Sequence, residues 1–252
     1  MNHLDTLNLL TGYFLRSLPG FMIGVLFILL IGKKSFITRI FSYVLLFIMI
    51  RDVMTPLGLW SFGTEGVFWL RVIENPGFLL VVAILSVGIV LVVNRVDREA
   101  GDIWIFRRTS YLKTVATGLA GAALVFVPML LIYQFVPIEQ RGGAVTRDPA
   151  FLASLLIFCL SANFLEESIY RGYFQGYIVK LFSPAKSAVL SGLLFSFSHI
   201  FLATTVTDAG WGVIAFTAFE GIVAGFVYLR GGVLAATITH GGAIFLLCSG
   251  LF

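Results

Sequence analysis

Long runs of apolar residues alternate with short polar segments along the whole chain. A run of about 20 apolar residues is long enough to cross the hydrocarbon core of a membrane as a helix. Eight such runs can be placed, and each is a predicted span: 12–32, 37–56, 76–94, 114–136, 149–170, 186–203, 211–229 and 232–251. The pattern therefore predicts an all-α, polytopic membrane protein with about eight transmembrane helices.

The second predicted span is the least regular of the eight. Arg51 and Asp52 interrupt its apolar sequence, and Pro56 would kink or end a helix there. The segment that follows, 60–75, is rich in aromatic residues, which is typical of a stretch at the membrane–water interface. We expect the chain to run along the interface there before the third span begins.

Composition agrees with a membrane setting. Of 252 residues, 59% are hydrophobic and 12% are charged, whereas a soluble domain carries roughly 25% charged residues. Cys159 and Cys248 both lie in apolar runs and do not form a metal or disulfide framework. The net charge of +4 comes from basic residues scattered between the spans, as loop charges usually are. The predicted partner is therefore the lipid bilayer, and nothing indicates a nucleic acid.

The positions of lysine and arginine predict the orientation. With the N-terminus outside, most of the 17 basic residues fall in inner loops, as the positive-inside rule favours. Both termini are therefore predicted to lie outside, in a multi-pass protein of the plasma or inner membrane. No basic segment precedes the first span and no small-residue cleavage site follows it, so we interpret it as a permanent span rather than a signal peptide.

Two adjacent glutamates in the fifth span are the most informative polar residues. Glu166 and Glu167 lie in a strongly apolar stretch, and charges at membrane depth usually face a protein interior or a wet cavity. Arg171 follows Glu167 by four residues, so the two share a helix face and can form an ion pair. Glu166 lies about 100° away around the helix and is available for chemistry.

Polar residues on later spans can converge on these glutamates. Ser183 and the proline after it suit a helix start. Glu166 lies 17 residues before Ser183 and His199 lies 16 residues after it, so an antiparallel hairpin brings the two to similar depth. His240 enters from the same membrane side on the last span. Glu220, on the span between, is interpreted as a structural or cavity-lining residue.

Three short motifs occur in order in this half of the chain. They are EExxxR at Glu166–Arg171, FxxxH at Phe195–His199, and a third motif that His240 closes after a glycine-rich stretch at 221–230. Together they resemble the CPBP family, which contains the type II CAAX prenyl endopeptidases and bacteriocin-processing or self-immunity (Abi) membrane proteins. The resemblance covers roughly residues 114–252, a predicted protease core, whereas residues 1–113 form a predicted N-terminal transmembrane region without a recognisable motif.

The family consists of glutamate-dependent intramembrane proteases with a helical core. By matching position, the resemblance implies that Glu166 activates the attacking water and that His199 helps to hold it. Arg171 would orient the acidic pair through Glu167, and His240 would help to stabilise the oxyanion. The implied activity is hydrolysis of a peptide bond in a membrane-associated peptide or lipid-modified protein, without a cofactor.

One position departs from the family pattern and leaves alternatives open. The family usually has an asparagine four residues after the last histidine, where this chain has Ile244. Loss of one oxyanion donor costs about 10² to 10³ in rate in other enzymes, and Thr237 is a candidate substitute that, like Ile244, is expected to border the cavity. One alternative is a catalytically weak or inactive scaffold or regulator. The other is a zinc-dependent membrane metalloprotease with His199, His240 and Glu166 as ligands, although no HExxH pair occurs.

Overall fold

The computed structural model of the protein describes residues 3–31, 35–63, 69–137, 148–206 and 210–251. Within these residues the chain is almost entirely helical, with one short β-hairpin. In chain order the elements are α1 (His3–Ile31), α2 (Phe36–Met54), β1 (Trp60–Phe62), β2 (Leu70–Val72), α3 (Pro76–Val96), α4 (Arg98–Ile103), α5 (Tyr111–Tyr133), α6 (Pro149–Glu167), a first π-helix (Ser168–Gln175), α7 (Gly176–Ile178), α8 (Pro184–Phe197), a second π-helix (Leu202–Val206), α9 (Gly210–Gly231) and α10 (Val233–Cys248).

The predicted spans coincide with the long helices, and the all-α, polytopic membrane class is confirmed. Six stretches are long and apolar enough to cross a membrane: Leu4–Phe27, Pro76–Val96, Tyr111–Tyr133, Pro149–Ile178, Pro184–Thr205 and Gly210–Gly231. The other two predicted spans correspond to α2, which contains Arg39, Arg51 and Asp52, and to α10, which has 16 residues. Of the roughly eight predicted spans, six therefore correspond to helices that meet these criteria, and two correspond to helices that do not.

The aromatic segment after α2 forms a hairpin, which the sequence pattern did not predict. β1 and β2 pair antiparallel with Ser61 opposite Arg71. The Trp60 indole donates to Thr55 Oγ1 at 2.5 Å, which ties the hairpin to the end of α2. Arg71 Nη1 donates to the Leu247 carbonyl at 2.9 Å, so the hairpin also caps the C-terminal end of α10.

Glycines bring α8 and α9 into backbone contact. A Cβ atom at Gly192 would lie 2.6 Å from the Ile222 nitrogen, and one at Gly225 would lie 2.8 Å from the Ala188 carbonyl oxygen. Gly221 and Gly225 are four residues apart on α9, a spacing of small residues that lets membrane helices approach closely. The helix start predicted at 183–184 is confirmed, since the Ser183 hydroxyl caps α8.

The N-terminal helices pack directly on the C-terminal ones. One apolar cluster joins Phe36, Ile40 and Val44 of α2 to Ile169 and Tyr170 of the first π-helix. The two predicted parts of the chain, 1–113 and 114–252, thus share a core, and their boundary stays a prediction. The predicted orientation of the termini also stays a prediction, because several of the loop charges behind it lie outside the described residues, namely Lys33, Lys34, Arg141 and Arg147.

Candidate active site

The glutamate pair ends α6, and the helix changes its geometry immediately after it. The Asp148 side chain caps the start of α6 by accepting hydrogen bonds from the Ala150 and Phe151 amides. From Ser168 to Gln175 the chain forms a π-helix, all of whose residues are buried. Single π-helical turns within α-helices are frequent at functional sites. Sequence periodicity gave no signal for this change.

Glu167 is held by two donors from different helices. Arg171 Nη1 donates to Glu167 Oε1 at 2.7 Å, and His240 Nδ1 donates to the same oxygen at 2.9 Å. The side chains of Glu167 and Arg171 are fully buried. The ion pair predicted from the i, i+4 spacing is present, and it continues into the last helix through His240.

The same arginine also binds the backbone of α9. Arg171 Nη2 donates to the Gly221 carbonyl at 2.8 Å, and Gln175 Nε2 donates to the Gly225 carbonyl at 2.9 Å. Side chains four residues apart on the π-helix thus meet carbonyls four residues apart on α9. These bonds fix the position of α9 relative to the glutamate pair, and α9 carries Glu220 beside Gly221.

His240 lies among three carboxylates. Its Nδ1 donates to Glu167, while its Nε2 lies 3.6 Å from Glu220 Oε2 and 4.0 Å from Glu166 Oε2. All four side chains are buried. Glu220, predicted only as structural or cavity-lining, therefore faces the same imidazole nitrogen as Glu166. When Nε2 carries a proton, it can donate to either carboxylate or to a substrate oxygen.

His199 has a different set of partners. Its Nδ1 donates to the Phe195 carbonyl at 2.8 Å, and its Nε2 accepts from Arg51 Nη1 at 3.2 Å. Arg51 belongs to α2, where its charge was interpreted as an interruption of the second span. The sequence analysis therefore missed it as a residue of this site, although a charge within an apolar run was the signal that could have found it.

Phe195 lies between the two histidines. Its ring centroid is 4.6 Å from the His199 ring and 5.2 Å from the His240 ring, and the Arg171 guanidinium lies 4.7 Å from it. The structure therefore brings Glu166 and His240 together directly and places His199 one aromatic ring away from His240. Arg51 is close enough to both Glu166 and His199 to interact with each electrostatically.

Several buried polar atoms of this cluster have no hydrogen-bond partner within the described part of the chain. They are Glu166 Oε1, Glu167 Oε2, Glu220 Oε1, Arg171 Nε and Thr237 Oγ1. A buried polar atom without a partner costs about 1–3 kcal/mol, so native proteins keep few of them, and those they keep need an explanation such as a catalytic role. Three unpaired carboxylate oxygens in one cluster favour a site that handles protons and polar substrate groups.

The two other positions predicted to border the cavity differ in environment. Thr237 is buried one helical turn before His240. Ile244 is half-buried and packs against the apolar cluster that includes Phe158 and Leu247. The cavity-lining role of both residues stays a prediction.

Buried ionisable residues within membrane-spanning helices mark this cluster as a candidate functional site. Residues 148–246 match the model of a family described as Type II CAAX prenyl endopeptidase Rce1-like. This match supports the assignment of the chain to the CPBP family and confirms the resemblance found in the motifs. At the family level it indicates a CAAX-type intramembrane protease, embedded in the membrane by several spans. No curated protein and no solved structure matches the chain.

Proposed function

We propose that this protein is an intramembrane endopeptidase that uses a glutamate to activate water. The proposal rests on the different hydrogen-bond partners of the two adjacent glutamates. Glu167 is engaged by Arg171 and His240, whereas Glu166 Oε1 has no hydrogen-bond partner among the described residues and Glu166 Oε2 lies 4.0 Å from His240. One acid holds the site together, and the other is available to accept a proton.

These positions support the following reaction. The Glu166 carboxylate takes a proton from a water molecule, whose oxygen attacks the scissile carbonyl carbon. His199 helps to hold that water through its Nε2 lone pair. The carbonyl oxygen gains negative charge, which His240 stabilises by donating from Nε2. Glu166 then returns the proton to the leaving amide nitrogen as the carbon–nitrogen bond breaks.

Glu167 and Arg171 support this reaction without entering it. Glu167 accepts from His240 Nδ1 and thereby directs Nε2 toward the other two carboxylates. Arg171 balances the charge of Glu167 in a region from which water is excluded and bonds the pair to α9. His240 Nε2, the proposed oxyanion donor, is thus positioned before the substrate arrives. Such preorganised donors supply most of the electrostatic stabilisation of the transition state in enzymes.

The substrate that fits this placement is a peptide bond delivered at or near the membrane. The proposed substrate is a membrane-associated peptide or a lipid-modified protein, in agreement with the membrane spans and the family match. The test uses purified protein in lipid vesicles with fluorogenic peptides, each supplied with and without a farnesyl group on cysteine. Cleavage of only the lipidated set assigns a lipid-modified substrate, and equal cleavage of both sets assigns a membrane peptide.

Substitution of the two glutamates tests the assignment of roles. Glu166→Gln should abolish cleavage and leave thermal stability in detergent nearly unchanged, because Gln keeps the shape and loses the base. Glu99→Gln, which removes an exposed carboxylate on α4, is the matched control and should cleave normally. Full activity of the Glu166→Gln protein would contradict the glutamate mechanism.

Specific observations bear on two alternative functions, an inactive scaffold and a zinc-dependent protease. Ile244 in place of a donor favours a weakly active scaffold or regulator, which would cleave no peptide in either set. For the zinc-dependent alternative, no group of three or more His, Cys, Asp or Glu side chains among the described residues is arranged to hold a metal ion. Because the proposed reaction assigns water activation to the Glu166 carboxylate, strong chelators should leave cleavage intact. Loss of activity that zinc restores would support the metalloprotease instead.

A further inference from the structure

A buried arginine from the N-terminal helices reaches the candidate site from outside the family-matched residues. Arg51 lies near the end of α2, and its side chain is 6% exposed. Its Nη1 donates to His199 Nε2 at 3.2 Å, and its Nη2 donates to the Ser198 carbonyl at 2.5 Å. The arginine thus contacts two consecutive residues at the end of α8, one of them a proposed catalytic residue.

Arg51 is itself held in place by α2. Its Nε and Nη2 both donate to Asp52 Oδ1, at 2.9 and 2.8 Å. A guanidinium is planar and presents its N–H groups in a fixed geometry, so the bonds to Asp52 and Ser198 determine where Nη1 points. The orientation of Arg51 toward His199 therefore depends on partners other than His199.

These contacts allow one protonation form of His199. Its Nδ1 has to donate, because the Phe195 carbonyl can only accept. Its Nε2 has to accept, because the Arg51 guanidinium can only donate. The imidazole is therefore neutral, with its proton on Nδ1, and the lone pair on Nε2 is directed at Arg51.

We propose that Arg51 is a positioning residue that holds His199 as the neutral Nδ1–H imidazole, with the lone pair on Nε2. The Arg51–His199 distance of 3.2 Å is longer than the roughly 2.7–2.9 Å that is usual for charge-assisted hydrogen bonds. For His199 to hold the attacking water through this lone pair, the water has to displace Arg51 Nη1 from Nε2 during the reaction. The effect on cleavage rests on the proposed function, but the form of His199 in the resting site does not.

Nitrogen NMR of the full chain tests the proposal independently of activity. The protein is labelled with ¹⁵N-histidine and studied in micelles, and its three histidines are assigned by single His→Gln variants. In the wild type, His199 should give one protonated and one unprotonated nitrogen. Arg51→Gln should move the unprotonated signal, since its donor is lost, and Arg51→Lys should move it less.

The matched control removes another arginine of the N-terminal region. Arg71 bonds to the Leu247 carbonyl rather than to His199, so Arg71→Gln should leave both His199 signals in place. If Arg51→Gln fails to fold, the double variant Arg51→Gln/Asp52→Asn replaces it, because it removes both charges of the pair together. Unchanged His199 signals in a folded Arg51 variant overturn the proposal.

Cleavage kinetics supply the second readout. Arg51→Gln should lower kcat by about tenfold or more with little change in KM, the scale seen when the partner that orients a functional histidine is removed, and Arg51→Lys should fall between it and the wild type. Faster cleavage by Arg51→Gln would overturn the proposal, because Arg51 would then obstruct His199. If Glu166→Gln leaves cleavage intact while the His199 signals respond to Arg51, the proposed function fails and this inference stands.

Discussion

The two histidines of the candidate site are held in opposite electrical surroundings. His240 has a carboxylate at each nitrogen, with Glu167 on Nδ1 and Glu220 and Glu166 near Nε2. His199 has a backbone carbonyl on Nδ1 and the Arg51 cation on Nε2. Nε2 therefore acts as a hydrogen-bond donor at His240, whose surroundings we call the His240 side of the site. At His199, whose surroundings we call the His199 side, Nε2 acts as an acceptor.

This difference follows from which helices meet each histidine. α10 packs against α6 and α9, which supply the acids, whereas the end of α8 meets α2, which supplies a cation. A peptide hydrolase needs both functions, because the attacking water has to be held and the carbonyl oxygen has to receive a hydrogen bond. Substitutions that remove one side while preserving the other therefore test how far the two sides are independent.

The largest effect is expected from removing the ion pair between Arg171 and Glu167, the glutamate that binds His240. Arg171→Ala leaves Glu167 buried without its cation, which should cost about 3–5 kcal/mol of stability. Thermal unfolding in detergent and abundance in membranes measure this loss. The double variant Arg171→Ala/Glu167→Ala should recover part of it, since the uncompensated charge is gone. Normal abundance and melting temperature of Arg171→Ala would show that the pair does not stabilise the site.

Removing each imidazole separates donor from acceptor. His240→Ala should slow cleavage by about 10² to 10³, the cost of one lost oxyanion donor. Lysine donates hydrogen bonds and cannot accept them, so His240→Lys should retain more activity than His240→Ala, whereas His199→Lys should be no more active than His199→Ala. Rates for the four variants provide the comparison. Equal rescue by lysine at both positions would contradict the proposed difference between the two sides.

Ile244 offers a smaller and sharper test on the His240 side. If the site is catalytic and lacks a donor, Ile244→Asn should maintain or raise the cleavage rate. If the surroundings of Ile244 are purely structural, the new amide is left unpaired and costs about 1–3 kcal/mol without added activity. Cleavage and thermal stability are measured together, with Ile244→Leu as the control for packing. A destabilised Asn variant of a parent that is inactive on every peptide favours the scaffold.

The smallest effect concerns the anchoring of the helix that carries Arg51. Arg39 of α2 donates to Asp97 at 2.8 Å. Burial raises the pKa of Asp97, but hydrogen bonds from Arg39, Tyr43 and the Ala100 amide outweigh burial and leave the pKa below the usual 3.8. The folded pKa is depressed, so this stabilisation is present above the unfolded pKa and is lost as pH falls through the folded value.

An Asp97→Asn variant checks this contribution. It should lower stability at neutral pH by less than about 1 kcal/mol, as is usual for partly exposed ion pairs, and its stability should decline less than that of the wild type as pH falls toward 3. Thermal unfolding over a pH series provides the measurement. An identical pH dependence in both proteins would show that Asp97 does not anchor α2.

Local chemistry made part of this site predictable from sequence. The Glu167–Arg171 pair follows from spacing within one helix, and the start of α8 follows from the serine and proline at its first turn. Counting residues from the turn at Ser183 predicted that Glu166 and His199 lie at similar depth, and His240 was expected to enter from the same membrane side. Each of these predictions depends on residues close in sequence or on helix length, which are properties that a single chain displays directly.

The contacts of Arg51 and Glu220 were not predictable in this way. Apolar periodicity in a membrane helix does not identify which face meets which neighbour, so the approach of α2 to His199 had no sequence signal beyond the charge itself. Glu220 faces His240 because backbone carbonyls of α9 accept from Arg171 and Gln175, and that match between two helices appears only in three dimensions.

The first π-helix constrains the number of residues between 168 and 175 rather than their types. Each of its hydrogen bonds spans five residues instead of four, so the segment takes up more residues per turn than an α-helix. Deleting one residue between 172 and 174 would shift the segment toward α-helical spacing and change the separation between Arg171 and Gln175. The recognisable motif at 166–171 could then survive intact while Gln175 lost its carbonyl on α9. In this region, insertions and deletions should therefore be tolerated less well than substitutions.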